Sequence, residues 1–161
     1  MFELNGKVCL VTGGSRGLGE SMALTFAQSG AEAVIITYNS DENKAIEVCK
    51  NIEIHGSKSM AIHLEASNLD SIKKMVSNVE NEFSKIDVLV NNAGITLDNL
   101  SIRLSEENWK KVIDINLTST FLLSKFAIKK MLKNKSGKII NITSIVGHTG
   151  NVGQANYTAS K

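Results

Sequence analysis

A glycine-rich turn constrains this chain more than any other feature. The residues Thr12-Gly13-Gly14-Ser15-Arg16-Gly17-Leu18-Gly19 stand between a short apolar run and a helical pattern. A sharp turn there needs the backbone freedom of glycine, and a helix that begins there directs free N–H groups at a bound anion. The spacing Gly-x3-Gly-x-Gly departs from the Gly-x-Gly-x-x-Gly fingerprint of other dinucleotide folds. The turn predicts a diphosphate-binding site, with an ordinary loop as the alternative.

The rest of the chain alternates short apolar runs with longer helical patterns. We predict strands at 7–12, 33–37, 59–64, 86–90 and 138–143, and helices at 21–30, 41–55, 69–84 and 105–133. The third helix would open on Asp70-Ser71, and the last would break near Asp114. Strands separated by helices of this length imply right-handed crossovers and a parallel sheet. The predicted fold is α/β, a Rossmann-type doubly wound parallel sheet in a three-layer αβα sandwich, formed as one domain over 1–161.

Composition excludes several classes of function. The chain has 161 residues, 42% of them hydrophobic and 21% charged, with a net charge of +2 from interspersed acids and bases. This balance argues against nucleic acid as a partner, and no apolar run is long enough to span a membrane. Cys9 and Cys49 lack metal-ligand spacing, so we expect no metal site. The chain start has no signal-peptide pattern, so the expected location is the cytoplasm, or an organelle stroma after removal of a targeting segment.

The residues near the turn favour one nicotinamide cofactor over another. The second strand ends in Tyr38-Asn39-Ser40 and lacks the acidic residue that would bond the ribose 2′-hydroxyl of NAD. Arg16 supplies a cation inside the turn instead. We therefore predict NADPH/NADP, with Asn39 and Ser40 beside the extra phosphate. The alternative is that Arg16 is merely solvated and that Asp41 supplies the missing acid.

A second constellation lies near the end of the sequence. Tyr157 and Lys161 are four residues apart, which places them on one face of a helix. Ser144 follows the fifth predicted strand, at the edge of a parallel sheet where ligands bind. Carbonyl reduction requires a proton donor to oxygen, and a hydroxyl can stabilise the charge that develops there. These residues therefore predict an oxidoreductase site.

The motifs together resemble the short-chain dehydrogenase/reductase family over the whole chain. The resemblance rests on the glycine turn, on Asn91-Asn92-Ala93-Gly94, on Asn116 and Ser144, and on Tyr157-Thr158-Ala159-Ser160-Lys161, in family order. It implies that Tyr157 is the general acid, that Lys161 binds the nicotinamide ribose and makes that phenol a better proton donor, and that Asn116 holds a water in a proton relay. Ser144 would orient the substrate carbonyl, so Ser144 and Tyr157 are the implied substrate contacts.

The resemblance also implies a set of cofactor contacts. They are Gly13, Ser15, Arg16, Gly17, Leu18, Gly19, Asn39, Ser40, Glu65, Ala66, Asn92, Ala93, Gly94, Tyr157 and Lys161. Asn92, Ala93 and Gly94 would pack beside the adenosine half of the cofactor and steady the central strand. Glu65-Ala66 departs from the Asp-Val or Asn-Val of the family, which puts its adenine contact in doubt.

Three segments, at 91–100, 139–147 and 150–157, are similar to those of family members that reduce 3-oxoacyl groups on acyl carrier protein. Leu97 replaces the arginine usual there. The resemblance implies NADPH-dependent reduction of 3-oxoacyl-[acyl-carrier-protein] in fatty acid biosynthesis. The alternatives are an acetoacetyl-coenzyme A reductase, an alcohol or sugar dehydrogenase, or a fragment that binds nucleotide without turnover.

A basic cluster (Lys129, Lys130, Lys133, Lys135) is either a docking patch for the acidic carrier protein or a complement to the helix dipole.

Family members are longer than this chain and usually form homotetramers. We therefore expect a chain truncated at its C-terminal end, which lacks the last strands and the substrate lid of the fold. A catalytic pair on hardly one turn of helix would be poorly held. We expect the 161-residue chain alone to be inactive, and the full-length form to be a homotetramer.

Overall fold

Five strands pair in parallel in the computed structural model, which describes residues 3–161. They are β1 (Val8–Val11), β2 (Ala33–Tyr38), β3 (Lys58–His63), β4 (Val88–Asn91) and β5 (Lys138–Asn141). Their order in the sheet is β3-β2-β1-β4-β5. The chain therefore winds outward from β1 in one direction and then crosses back to β4 on the other side. Ligands bind at such a reversal, beyond the carboxyl ends of the strands, so the topology places a site above β1 and β4.

Seven α-helices connect and follow these strands in the described part of the chain. They are α1 (Gly17–Gln28), α2 (Glu42–Ile54), α3 (Leu69–Glu82), α4 (Glu106–Ile113), α5 (Ser119–Asn134), α6 (Val146–Thr149) and α7 (Ala155–Ser160). A short 3₁₀ helix spans Ser101–Arg103. None of the helices within residues 3–161 is both long and apolar enough to cross a membrane.

The predicted break near Asp114 is confirmed as one π-helical turn, Asp114–Thr118, between α4 and α5. One helix start was predicted wrongly. Helix α1 begins at Gly17, inside the glycine turn, because the Glu20 N–H already donates to the Arg16 carbonyl. Helix α3 begins at Leu69 as predicted, with Asp70 and Ser71 in its first turn, and the Asn68 side chain caps it by accepting from the backbone N–H groups of both residues.

Helices cover both faces of the sheet, and this explains the unbroken apolar runs of the inner strands. Side chains alternate between the faces along each strand. One face packs against α3 and α5, with core residues Val8, Leu10, Ile35, Leu89, Ile72, Met75, Leu123 and Ala127. The other packs against α1 and α2, with core residues Cys9, Val11, Val34, Ile36, Val90, Ala23, Val48 and Ile52. The doubly wound α/β fold predicted from the sequence is confirmed.

Candidate nucleotide-binding and active site

The glycine turn connects β1 to α1. Its backbone conformation admits only glycine at several positions. Gly13 and Gly17 have positive φ angles of 63° and 58°, a region that disfavours residues with a Cβ. A Cβ on Gly14 would lie 2.6 Å from Cγ2 of Ile36, and one on Gly19 would clash with the carbonyl oxygen of Gly13. The turn thus lies closely against the sheet and presents backbone rather than side chains. This is the surface that a diphosphate needs at a helix N-terminus.

Two neighbouring strand ends fasten this turn. The Thr12 hydroxyl accepts hydrogen bonds from the backbone N–H groups of Asn92 (2.9 Å) and Ala93 (3.0 Å). The Asn92 side-chain amide donates to the carbonyls of Thr12 (2.9 Å) and Gly13 (3.2 Å). The Gly13 N–H donates to the Thr37 hydroxyl at 3.1 Å. Asn92 therefore holds the turn in shape as well as lining the space beside it.

A cleft of about 660 Å³ runs along the carboxyl ends of the strands. Its volume lies within the range of small-molecule sites. All of the cofactor contacts predicted from the sequence line this cleft, except Tyr157 and Lys161. It also has lining residues that were not predicted as cofactor contacts: Thr37, Tyr38, Asp41, Lys44, Leu64, Ser67, Ile95, Lys111 and Ile115. Lys111 and Ile115 are four residues apart, so helical spacing was a signal that could have identified them.

One wall of the cleft is formed by the residues that follow β2. Asn39 and Ser40 lie there, and Arg16 of the glycine turn lines the same cleft. Asp41 also lines this wall, and its Oδ1 accepts a hydrogen bond from the Lys44 backbone N–H at 2.9 Å as the N-cap of α2. The acid that the sequence offered as an alternative to Arg16 therefore lies in the cleft and is engaged in capping a helix.

Glu65 and Ala66 lie on the far side of the same cleft, beyond β3. The Glu65 backbone N–H donates to the Ser71 hydroxyl at 2.9 Å, in the first turn of α3. The departure from the family pattern at this position thus leaves the loop attached to the start of a helix.

The π-helical turn places Asn116 inside the protein, where it is 4% exposed. Its Oδ1 accepts from the Ile95 N–H at 2.8 Å, and its amide donates to the Ile95 carbonyl at 3.0 Å and to the Ser160 hydroxyl at 2.9 Å. Its own carbonyl accepts from the Thr120 hydroxyl at 2.8 Å. Asn116 therefore ties the loop after β4 to helix α7. Both of its amide hydrogens are occupied by these protein partners.

Tyr157 and Lys161 have the helical spacing that the sequence predicts, since the Lys161 N–H donates to the Tyr157 carbonyl at 3.1 Å. The Lys161 ammonium donates to the Ile142 carbonyl at 2.8 Å and lies 5.9 Å from the centre of the Tyr157 ring. A Cβ on Gly94 would lie 3.5 Å from this ammonium. Burial lowers the pKa of Lys161, because a half-buried cation loses solvation. The lysine thus lies between the tyrosine and the inner end of the cleft.

Helix α7 has only six residues, and tertiary contacts hold it. The fully buried Asn156 donates to the Leu97 carbonyl at 3.0 Å and accepts from the Tyr157 N–H at 2.8 Å. The Ser160 hydroxyl donates to the Tyr157 carbonyl at 2.8 Å. The helix that carries Tyr157 is therefore anchored to the loop after β4 as well as to the π-helical turn. We missed Asn156 and Ser160 in the sequence, since a buried amide and a hydroxyl inside a motif carry no periodic signal.

Ser144 lies three residues beyond the end of β5 and is half-buried. Its hydroxyl accepts from the Val146 N–H at 3.3 Å, at the start of α6. Among residues 3–161, no group of three or more His, Cys, Asp or Glu side chains could hold a metal ion.

Comparison with known proteins agrees with this arrangement. The family model of the short chain dehydrogenases matches residues 7–161, and the chain belongs to that family. It is 46% identical over its whole length to a 3-oxoacyl-[acyl-carrier-protein] reductase of Synechocystis, covering 65% of that protein. It is also 46% identical over 155 residues to the 3-oxoacyl-[acyl-carrier-protein] reductases FabG of Staphylococcus epidermidis and Staphylococcus aureus, covering 63% of each.

A solved structure gives the same picture of the fold. A Sinorhizobium meliloti protein described as a short-chain alcohol dehydrogenase superposes with a TM-score of 0.93 at 29% identity. The match covers 99% of this chain and 63% of that one. The chain therefore spans less than two thirds of the length of these relatives. The glycine turn, which presents backbone rather than side chains, and the cleft beside it fit a dinucleotide.

Proposed function

We propose that this protein is an NADPH-dependent reductase that converts 3-oxoacyl-[acyl-carrier-protein] to 3-hydroxyacyl-[acyl-carrier-protein] in fatty acid biosynthesis. The main observation in support of the proposal is the position of Lys161 relative to the cleft. Lys161 of the Tyr157 helix lies beside Gly94, at the end of the cleft opposite Asn39 and Ser40. A dinucleotide whose adenosine half lies near Asn39 and whose diphosphate lies at the glycine turn would thus direct its nicotinamide toward Tyr157.

The chain's own residues divide the proposed reaction among them. The nicotinamide supplies a hydride when it is bound. Tyr157 donates its phenolic proton to the substrate carbonyl oxygen, and the Ser144 hydroxyl donates a hydrogen bond to the same atom as negative charge develops. The Lys161 ammonium holds the nicotinamide ribose and favours loss of that proton. Asn116 holds α7 and the loop after β4 together. The second lone pair of its Oδ1 would accept a hydrogen bond from a water of the proton relay.

The preference for NADPH rests on charge at the adenosine end of the cleft. Arg16 of the glycine turn lines the same cleft as Asn39 and Ser40. The Asp41 carboxylate caps α2 through Oδ1. A phosphate on the ribose would therefore meet the Arg16 cation and two neutral hydrogen-bonding side chains, beside the Asp41 carboxylate. The remaining cofactor contacts of the proposal are the cleft-lining glycines and the residues from Asn92 to Gly94.

The proposed partner is acyl carrier protein, docking on the basic cluster at the end of α5. The four lysines of the cluster differ in their contacts. Lys130 pairs with Glu80 at 3.1 Å, and Lys129 lies 5.9 Å from the centre of the Phe126 ring. Lys133 and Lys135 are exposed, and Lys135 has a left-handed φ of 50° that ends the helix. Lys133 and Lys135 are therefore the members best placed to meet an acidic partner.

The test is NADPH oxidation by the protein at its full natural length, with a 3-oxoacyl group carried either on acyl carrier protein or on a coenzyme A analogue. The proposal expects faster turnover of the carrier-bound form at limiting concentration. The Tyr157→Phe variant should lose about 10²- to 10⁴-fold in kcat and keep its affinity for NADPH. Turnover of the coenzyme A form or of simple alcohols alone would instead support another member of the family. Binding of NADPH without turnover of any substrate would reject the reductase activity.

A substitution in the basic cluster tests the partner separately. Lys135→Glu should raise KM for the carrier-bound substrate several-fold, because one attractive contact becomes repulsive, and leave KM for the coenzyme A analogue unchanged. The control is Lys74→Glu, an exposed lysine on α3 that is not a member of the cluster. An equal change for both substrates would remove the docking role and leave the helix dipole as the reason for these lysines.

We also propose that the protein forms a homotetramer and acts in the cytoplasm. A row of exposed apolar side chains on and just before α5 supports the homotetramer. The row consists of Leu117, Phe121, Ile128 and Leu132. Cys9 and Cys49 are free thiols, which fits the reducing conditions of the cytoplasm.

A further inference from the structure

Lys44 lines the nucleotide cleft, although neither its position in a motif nor the resemblance to the family assigns it a role. It lies in the first turn of α2 and lines the cleft together with Arg16 and Ser40. Its Nζ is 3.1 Å from Oε2 of Glu47, one turn further along the helix. The side chains of the pair are 37% and 61% exposed, so solvent screens this attraction strongly. The ammonium is therefore free to exchange Glu47 for a better acceptor.

The charge around this wall creates a need for such a cation. The Asp41 side chain caps α2, and Asp41 also lines the wall where a ribose 2′-phosphate would lie. A 2′-hydroxyl can lie beside a carboxylate and donate to it, whereas a phosphate is repelled by it. Without another cation, Arg16 alone would have to offset the charges of both the Asp41 carboxylate and the 2′-phosphate. A second cation beside Asp41 makes this end of the cleft more attractive to a phosphate.

From this geometry we infer that Lys44 is a second cation for the 2′-phosphate of NADPH, which it reaches by releasing Glu47. The inference rests on the proposed preference for NADPH. A phosphate dianion accepts stronger charge-assisted hydrogen bonds than an exposed carboxylate, which favours the exchange. Lys44 belongs to the first turn of α2, and helical side chains point toward the N-terminus of their helix. Its long side chain can therefore extend over the end of α2 toward Ser40, where the helix dipole also favours an anion.

Binding of adenosine 2′,5′-bisphosphate and of adenosine 5′-monophosphate, measured by titration calorimetry, isolates this end of the cleft from catalysis. We expect Lys44→Gln to weaken binding of the bisphosphate about tenfold and to leave the monophosphate unchanged. Lys44→Arg should keep most of the preference, because it keeps the charge. Glu47→Gln should leave the preference intact or increase it, since it frees the ammonium. Lys50→Gln, on the same helix but outside the cleft lining, is the matched control and should bind both ligands like the original chain.

The outcomes separate this inference from the proposal on which it rests. If the original chain prefers the bisphosphate and Lys44→Gln keeps that preference, Lys44 has no role and the NADPH assignment stands on Arg16. If Lys44→Gln weakens both ligands equally, its effect is structural and the inference is wrong. If the original chain does not distinguish the two ligands, both the inference and the NADPH assignment are overturned. Loss of the preference in Lys44→Gln supports the inference even where no reductase activity on acyl carrier protein is found.

Discussion

At the scale of single residues, hydroxyl groups at strand ends do much of the positioning. Thr12 and Thr37 are the residues that follow Val11 and Ile36, a paired position in β1 and β2. Both are 1% exposed, and their hydroxyls accept from the backbone of the loop after β4 and of the glycine turn. A tightly bent backbone has N–H groups that the sheet cannot pair, and these two hydroxyls satisfy several of them. The turn is thus preorganised before any nucleotide binds.

Cys9 gives a prediction about pH. It is fully buried in β1, and burial, with the Asp87 carboxylate as a second cause, raises its pKa from 9.0 to about 12. The thiol in the unfolded chain loses its proton near pH 9, whereas the folded thiol keeps it to about pH 12. The free energy of unfolding should therefore fall as pH rises above 9, by up to about 1.4 kcal/mol per pH unit from this group. Urea denaturation at pH 8, 9 and 10 measures that slope.

The Cys9→Ala variant should show a shallower slope than the original chain, whatever its stability at pH 8. Cys49→Ala is the comparison. Burial raises the pKa of Cys49 as well, but this thiol is only half-buried. Identical slopes in all three proteins would show that Cys9 titrates alike in the folded and unfolded states.

The sequence predicted the residues of the cleft better than it predicted how they are held. Motif glycines such as Gly13 and Gly19 could be identified because turn geometry permits nothing else there. The capping role of Asp41 and the position of Lys44 depend on how α2 meets the end of β2. Asn156 bonds to Leu97, which lies far away in the sequence. Such contacts depend on the packing of distant segments, and no local pattern contains them.

At the scale of elements, the π-helical turn is the clearest link between sequence and site. One extra residue per turn between α4 and α5 rotates Asn116 inward, where it bonds Ile95 and Ser160. The sequence indicated a break near Asp114 but not its kind, because a π-turn and a kink interrupt the apolar period in the same way. Only the partners of Asn116 distinguish them. The break therefore positions a side chain and does not merely interrupt a helix.

The start of α3 gives a prediction at this scale. Asn68 caps the helix by accepting from the N–H groups of Asp70 (2.9 Å) and Ser71 (3.2 Å). The Ser71 hydroxyl in turn accepts from the Glu65 N–H, so the cap also fixes the loop along the cleft. Asn68→Ala should lower the free energy of unfolding by about 1 kcal/mol and weaken binding of the proposed cofactor a few-fold. Urea denaturation and a nucleotide titration measure the two effects.

Asn68→Asp keeps an acceptor at the cap and should behave like the original chain in both measurements. The link between cap and cleft is wrong if Asn68→Ala loses stability while its nucleotide affinity is unchanged. The prediction of the cap itself is wrong if Asn68→Asp loses as much stability as Asn68→Ala.

At the scale of the whole molecule, alternating strands and helices were enough to predict a doubly wound parallel sheet. The order β3-β2-β1-β4-β5 was not predicted, because each crossover could pass to either side of β1. The lengths of the apolar runs did carry information. Strands β1, β2 and β4 are almost wholly buried, whereas β5 at one edge is mostly exposed. Inner strands thus read as continuous apolar runs, and the edge strand reads as a weaker one.

The exposed apolar row of α5 gives the last prediction. Leu117, Phe121, Ile128 and Leu132 are spaced by four, seven and four residues, so they form one stripe along the helix. Phe121 is 64% exposed, and an apolar stripe of this length is typical of a protein–protein interface. If the stripe joins copies of the chain, Phe121→Asp should lower the molar mass in solution without changing the circular dichroism, since a buried carboxylate opposes association.

Light scattering coupled to gel filtration measures that mass. Ile54→Asp is the matched control, because Ile54 is 78% exposed at the end of α2 and lies outside the stripe. Its mass should equal that of the original chain. An unchanged mass in Phe121→Asp would show that the stripe is not the contact between subunits, and an equal fall in both variants would trace the effect to surface charge. A fall in Phe121→Asp alone would place the assembly on α5, a helix whose other face packs on the sheet through Leu123 and Ala127.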